Sequence, residues 1–129
     1  MPKILVVDDE KAVQLGIREE LKPKGYEVTG FSNGRLAAEA AKKETYVLAF
    51  VDLWMPEVDG VETCKLIKQN SPQTEVVLIS GRPDGFGGRE GDFVKAGGLD
   101  FFLYKPFMDG ALLEVIEKVL AGFPNLEKK

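Results

Sequence analysis

The stretch "YVLAFVDLWMPEVDG", residues 46–60, joins an apolar run to a polar turn. The run "YVLAFV" is apolar throughout and does not alternate, which is typical of a strand covered on both faces. Asp52 follows directly, and Pro56 and Gly60 are residues that interrupt regular structure. The stretch therefore predicts a buried strand with a carboxylate at its carboxyl end.

The segments before and after this stretch repeat the same plan. Four more apolar runs predict strands: "KILVV", "YEVTGF", "EVVLIS" and "DFFLY". Helical spacing and helix-forming residues predict helices over residues 10–22, 33–43, 61–69 and 109–121, and a weaker one in "GREGDFVKAGG". Strands that alternate with helices indicate an α/β domain with a mostly parallel sheet, because the connecting helices cover its faces.

The composition predicts an ordinary folded domain. The chain has 129 residues, of which 44% are hydrophobic and 29% charged. Its net charge of -4 argues against a nucleic-acid interface, because phosphate backbones bind clustered Lys and Arg. No apolar run reaches the roughly 20 residues of a membrane span, and the N-terminus lacks the apolar length of a signal peptide. We therefore expect a cytoplasmic protein without a direct nucleic-acid or membrane partner.

Polar side chains stand at the carboxyl ends of four predicted strands. They are Asp8 and Asp9 after the first, Asp52 after the third, Ser80 in the fourth and Lys105 after the fifth. Each one alone could be a helix cap, a turn residue or a surface charge. Ligands of open parallel sheets bind beyond these strand ends, however, so we expect the side chains to converge into one site.

Three carboxylates in one site favour a bound cation, because they repel one another without it. The chain has no histidine and one cysteine, Cys64, so a hard ion bound by oxygen is expected. Mg²⁺ suits such a site, since it is held by a few carboxylates and keeps several waters. With Lys105 and Ser80 nearby, an Asp carboxylate could act there as a nucleophile toward phosphorus.

Four motifs in order carry a resemblance to a known family over essentially the whole chain. "ILVVDDE", "VDLWMPEVDG", "VVLIS" and "FFLYKPF" resemble the acidic pair, phosphoacceptor stretch, switch hydroxyl and lysine motif of the receiver domain of bacterial two-component response regulators. The resemblance implies a flavodoxin-like doubly wound sandwich, with five parallel strands in the order 2-1-3-4-5 and five helices. Residues 1–122 would form the receiver domain, and residues 123–129 a tail or the start of a linker.

The resemblance also implies a role for each residue of the site. Asp52 would be the phosphoacceptor. Mg²⁺ would be held by Asp9, Asp52 and the backbone carbonyl of Trp54, with Asp8 acting through water. Lys105 would pair with the phosphoryl oxygens.

A switch between two states is the function that the resemblance implies. Ser80 would move toward the phosphoryl group, Phe102 would be an aromatic that rotates, and the bond between Lys105 and Pro106 would be cis. The domain would catalyse its own phosphorylation and slow dephosphorylation without being a turnover enzyme. The implied partners are a sensor histidine kinase or phosphotransfer protein and an unidentified output domain or effector, and phosphorylation-dependent dimerisation is a further implied state.

Two other functions compete with this one. A docking module could keep the fold without being phosphorylated. A phosphatase of the haloacid dehalogenase class also uses an Asp nucleophile and Mg²⁺, but it requires an acid two positions after the nucleophile, where this chain has Trp54 after Asp52. A nucleotide site would need a glycine fingerprint after the first strand or a phosphate-binding loop, and the sequence has neither.

The segment "SGRPDGFGGREG", residues 80–91, is rich in glycine and longer than the family pattern leads us to expect. Half of the chain's 14 glycines lie between Gly81 and Gly98. Because they lack the spacing of a nucleotide loop, we expect a soft connection to a weak fourth helix. Phe93 and Val94 would be the main apolar positions of that helix for docking a partner.

Overall fold

Five parallel strands form the sheet of the computed structural model, which describes residues 1–122. The strands are β1 (Lys3–Val7), β2 (Glu27–Phe31), β3 (Leu48–Asp52), β4 (Glu75–Ser80) and β5 (Phe102–Tyr104). They lie in the order β2-β1-β3-β4-β5, and each neighbouring pair is parallel. The flavodoxin-like order is thus confirmed. The expected tail or linker, residues 123–129, lies outside the described part of the chain.

Five α-helices connect and follow the strands. They are α1 (Lys11–Leu21), α2 (Gly34–Lys43), α3 (Gly60–Asn70), α4 (Glu90–Lys95) and α5 (Ala111–Leu120). A short 3-10 turn, Lys22–Lys24, extends α1 and ends at Gly25, which adopts a left-handed conformation. Within residues 1–122, none of the helices has the length and apolar character needed to cross a membrane.

The sheet is covered on both faces, which explains why its strands are apolar throughout. Alternate residues of β3 point to opposite layers: Ala49 and Val51 pack with α2, α3 and α4, whereas Leu48 and Phe50 pack with α1 and α5. All four side chains are fully buried. Polar groups are therefore confined to the ends of the strand, where the site lies.

Side-chain caps fix the start of two helices close to the strand ends. The carboxamide of Asn33 accepts hydrogen bonds from the backbone of Arg35 and Leu36, at 2.7 and 3.2 Å, and so begins α2. The carboxylate of Asp59 accepts one from the backbone of Glu62 at 2.9 Å and begins α3. Such caps satisfy backbone N–H groups that have no partner within the helix.

The fourth helix is short, as expected, but Phe93 does not belong to a docking face. α4 has six residues, and Phe93 is fully buried, with its ring centroid 6.1 Å from that of Phe102. A helix of six residues can turn only one side toward the core, and in α4 the Phe93 ring occupies that side. Val94 is exposed, so only this half of the predicted docking pair remains at the surface.

The glycine-rich segment is anchored at its centre by a buried aromatic ring, and the expected softness of the rest stays a prediction. Phe86 is buried, and its ring centroid lies 5.3 Å from that of Phe102 and 5.0 Å from that of Tyr104. The flanking Gly85 and Gly87 have φ values of 64° and 56°, which glycine adopts at little cost. These turns direct Phe86 inward, and its burial holds the loop against β5.

We expect Gly60→Ala to lower the free energy of unfolding by roughly 1–3 kcal/mol, because a larger residue overpacks this junction. A Cβ at Gly60 would lie 2.7 Å from both the Asp52 carbonyl oxygen and the Leu53 Cα. Gly16→Ala is the matched control. Gly16 lies in α1 with open space where a Cβ would stand, so alanine should stabilise by about 0.5–1 kcal/mol. Urea unfolding measures both, and a Gly60→Ala variant as stable as the parent would contradict the close packing.

Candidate functional site

Three carboxylates meet at the carboxyl ends of β1 and β3. Asp8 and Asp9 follow β1, and Asp52 is the last residue of β3. β1 and β3 are parallel neighbours in which Val7 pairs with Val51, so the residues that follow lie side by side. One oxygen from each carboxylate lies within 4.8 Å of the others. The structure thus brings together the three acids that the sequence analysis singled out.

Asp8 is held in a fixed orientation and is fully buried. Its backbone N–H donates to the Phe31 carbonyl at 3.0 Å, and one carboxylate oxygen accepts from the backbone of Glu10 at 2.9 Å. The buried side chain of Gln14 donates to the Asp8 carbonyl at 2.7 Å and also to Ser32 at 3.0 Å. Asp9, in contrast, is exposed.

Lys105 follows β5, and its ammonium pairs with two carboxylates of the site and lies near a third. Its Nζ lies 2.9 Å from Asp8 Oδ2, 3.1 Å from Glu10 Oε1 and 3.8 Å from Asp52 Oδ1. The Lys105 backbone N–H donates to the Ser80 carbonyl at 2.8 Å, and the bond to Pro106 is cis, as expected. Glu10 was not among the predicted site residues, although its position next to the acidic pair was the available signal.

Crowding of negative charge in a buried place shifts the pKa values of the site. Burial, followed by the charge of Asp8, raises the pKa of Asp52 to about 7, although Lys105 acts to lower it. Burial also raises the pKa of Asp8. For Lys105, burial acts to lower the pKa, but the hydrogen bond and charge of Asp8 outweigh it, so the pKa is raised. The protonated forms of Asp8 and Asp52 are therefore favoured more than in an isolated carboxyl, and a bound cation would oppose this shift.

A polar cleft of about 340 Å³ opens over these groups. Its lining consists of Asp9, Glu10, Asp52, Trp54, Gly81, Arg82 and Lys105. Carboxylate oxygens are the ligands that Mg²⁺ prefers, and the set has neither thiolate nor imidazole. The clustered carboxylates thus fit the expected ion, whereas the role of the Trp54 carbonyl as a further ligand stays a prediction.

Ser80 is the last residue of β4 and Phe102 the first of β5, and neither belongs to the lining of this cleft. Ser80 is fully buried, and its hydroxyl donates to the Gly85 carbonyl at 2.7 Å while accepting from the Arg82 backbone at 3.2 Å. Phe102 is half-buried and packs against Phe86 and Phe93. Movement of Ser80 and rotation of Phe102 remain predictions, because both describe a second state.

Trp54 connects the site to the glycine-rich segment. Its indole Nε1 donates to the Gly85 carbonyl at 2.7 Å, and the guanidinium carbon of Arg82 lies 4.3 Å from the centre of its ring. A second link joins the same two loops, because Arg89 pairs with Asp59 at 3.0 Å. The part played by Gly85 was not predicted, since a backbone carbonyl leaves no mark in a sequence.

The protein is a doubly wound α/β domain in which three carboxylates and a lysine lie together at the carboxyl ends of the strands. Residues 4–117 match the model of the response regulator receiver domain. The chain belongs to this family, which confirms the resemblance carried by its four motifs.

Relatives of the chain include both short and long proteins. It is 35% identical to the chemotaxis protein CheY of Bacillus subtilis over 122 residues, which are 92% of this chain and 97% of CheY. It is 33% identical to the response regulator ArlR of Staphylococcus saprophyticus over 129 residues, which are 97% of this chain. The match spans only 55% of the length of ArlR.

A solved receiver domain has the same fold. The BeF3-activated DrrB receiver domain superposes with a TM-score of 0.77 at 30% identity. The match covers 94% of this chain and 98% of the solved receiver-domain chain. The described architecture is thus that of a receiver domain throughout.

We expect Asp52→Asn to stabilise the metal-free protein at high pH. The pKa of Asp52 is 3.8 when unperturbed and about 7 in the fold, so the stability contributed by the protonated carboxyl is lost as pH rises through 7. Asparagine avoids that loss and should raise the free energy of unfolding at pH 8 by roughly 1–3 kcal/mol, with a smaller gain at pH 5.

Urea unfolding with a chelator present at pH 5 and pH 8 measures this difference. Asp9→Asn is the matched control, because Asp9 belongs to the same cluster but is exposed, and it should give a smaller gain. An Asp52→Asn gain of equal size at both pH values would show that the effect does not come from titration of the carboxyl.

Proposed function

We propose that the chain is a phosphorylation-dependent signalling switch in which Asp52 is the phosphoacceptor. The observation that carries this proposal is the position of Asp52, clustered with two further carboxylates and with the Lys105 ammonium 3.8 Å away. Membership of the receiver family supports the same assignment. Residues 1–122 would form the receiver domain.

The reaction that this arrangement supports is transfer of a phosphoryl group to a carboxylate. A carboxylate oxygen of Asp52 forms a new bond to phosphorus, while the bond between phosphorus and the donor breaks and its electron pair leaves with the donor atom. Asp52 has to be deprotonated to attack, and its raised pKa leaves that form available at neutral pH. Lys105 would then turn from its carboxylate partners to the phosphoryl oxygens.

Mg²⁺ is the cofactor that the donor set fits. Asp9, Asp52 and the backbone carbonyl of Trp54 would hold it, with Asp8 acting through water. When bound, the ion neutralises negative charge on the carboxylates and the incoming phosphoryl group. Asp8 already has Lys105 as a close partner, which agrees with an indirect role.

The phosphorylated state would differ from the resting state around Ser80 and Phe102. The Ser80 hydroxyl would leave the Gly85 carbonyl for a phosphoryl oxygen, and Phe102 would rotate away from its contacts with Phe86 and Phe93. The phosphoryl group adds about two negative charges at this edge, which supplies a driving force for the change. The domain would catalyse its own phosphorylation and slow dephosphorylation, and signalling rather than turnover would be its task.

The phosphoryl donor would be a sensor histidine kinase or a phosphotransfer protein. The given sequence contains no histidine, so the phosphohistidine would lie outside residues 1–129. The output would be an attached domain or a separate effector, since the relatives include proteins of both lengths. We propose the cytoplasm as the compartment and dimerisation as one form of response.

A docking module on the same fold is the second candidate function. Exposed apolar side chains on and after β5, at Tyr104 and Met108, favour a surface that binds a partner. Such a module would not need the raised pKa of Asp52 or the ammonium beside it. The two functions therefore differ in whether Asp52 is modified.

We expect acetyl phosphate with Mg²⁺ to add one phosphoryl group to the protein, because a small acyl phosphate can replace the protein donor. Intact-mass measurement detects the product, and a chelator should prevent its formation. Asp52→Asn should remain unlabelled. Asp59→Asn is the matched control, since it keeps the cap of α3 and should label like the parent.

The other outcomes separate the competing functions. Continuous release of phosphate without a stable product would favour an Asp-nucleophile phosphatase. An unmodified parent protein would favour the docking module, and equal labelling of Asp52→Asn would refute the choice of acceptor.

A further inference from the structure

The backbone carbonyl of Gly85 accepts two side-chain hydrogen bonds from residues on different elements. The Ser80 hydroxyl donates to it from the end of β4, and the Trp54 indole Nε1 donates to it from the loop after β3, each at 2.7 Å. Gly85 is buried, so water does not easily replace a donor that leaves. Both donors neighbour the proposed phosphoacceptor.

The position of this carbonyl is fixed by the packing around it. Phe86, the next residue, is buried against two aromatic rings of β5. Gly87 lies so close to the indole that a Cβ there would be 2.9 Å from the ring of Trp54. The loop therefore holds the Gly85 carbonyl within reach of both Trp54 and Ser80. The carbonyl could move with a departing donor only if the loop lost its packing contacts.

Of the two donors, only Ser80 is expected to bind a different acceptor in the phosphorylated state. A serine hydroxyl carries a single hydrogen, so Ser80 cannot donate to Gly85 and to a phosphoryl oxygen at the same time. When Ser80 turns to the phosphoryl group, the Gly85 carbonyl loses one partner. Leaving a buried acceptor with no partner costs more free energy than removing one of two donors.

We propose that Trp54 is a positioning residue that keeps the Gly85 carbonyl hydrogen-bonded while Ser80 changes partners. Its indole N–H thereby lowers the free energy of the switched state relative to the resting state. Trp54 acts through Gly85 on Ser80, in addition to the metal contact proposed for its own backbone carbonyl. The inference rests on the proposed function, because it requires a phosphoryl group on Asp52.

A double-mutant cycle tests this role with beryllofluoride and saturating Mg²⁺ as the probe of the phosphorylated state. In Trp54→Phe the ring remains but the donor is lost, so the affinity for beryllofluoride measured by calorimetry should fall by about threefold to tenfold. In a Ser80→Ala background the Gly85 carbonyl has only the indole as donor, both with and without beryllofluoride. Trp54→Phe then affects both states equally and should leave the affinity nearly unchanged.

Two outcomes of the cycle would contradict this role. If Trp54→Phe weakens binding equally in both backgrounds, the indole acts directly on the anion and the inference is overturned. Tighter binding by Trp54→Phe would also overturn it.

The parent protein provides a measurement that does not depend on folding of a variant. Trp54 is the only tryptophan of the chain, so it gives one indole N–H signal in NMR spectra. This N–H should remain protected from hydrogen exchange both with and without beryllofluoride. Loss of protection on binding would overturn the inference, whereas failure of the parent to bind beryllofluoride would count against the proposed function itself.

Discussion

The parallel pairing of β1 with β3 is the constraint on which the site depends. Both strands are buried on their two faces, so their polar residues can stand only at the ends. Because the strands run in the same direction, Asp8 and Asp52 emerge at the same edge. A slip of one residue in this pairing would turn the apolar side chains of β1 to the opposite layer, so the cores on both sides fix the geometry of the acids.

The electrostatic balance at this edge explains why one lysine is central. Lys105 is the partner of Asp8 and Glu10 and lies near Asp52, yet the pKa values of Asp8 and Asp52 remain raised. One ammonium is thus too little positive charge for the acids in place. The site therefore carries an excess of negative charge, which favours binding of a cation.

The sequence predicted the features that follow from a repeating pattern of buried residues. It did not predict those that depend on a contact between individual residues. The apolar runs predicted the strands and the placement of Asp52, and the four motifs implied the strand order through their resemblance. Phe86 was hidden within a run of glycines, and Phe93 was assigned to the surface because the helix around it had few apolar residues. The contacts of Gly85 involve a backbone atom, which no residue pattern encodes.

The burial of Phe86 also limits how the loop between β4 and α4 can vary in length. A connection that holds nothing in the core tolerates insertions and deletions, since its ends are all that must be joined. Deletion of a residue next to Phe86 would move its ring away from Phe102, or it would move the Gly85 carbonyl away from Trp54. The loop and its aromatic partners therefore form one packing unit, and we expect a loop transferred from another receiver domain to need matching partners.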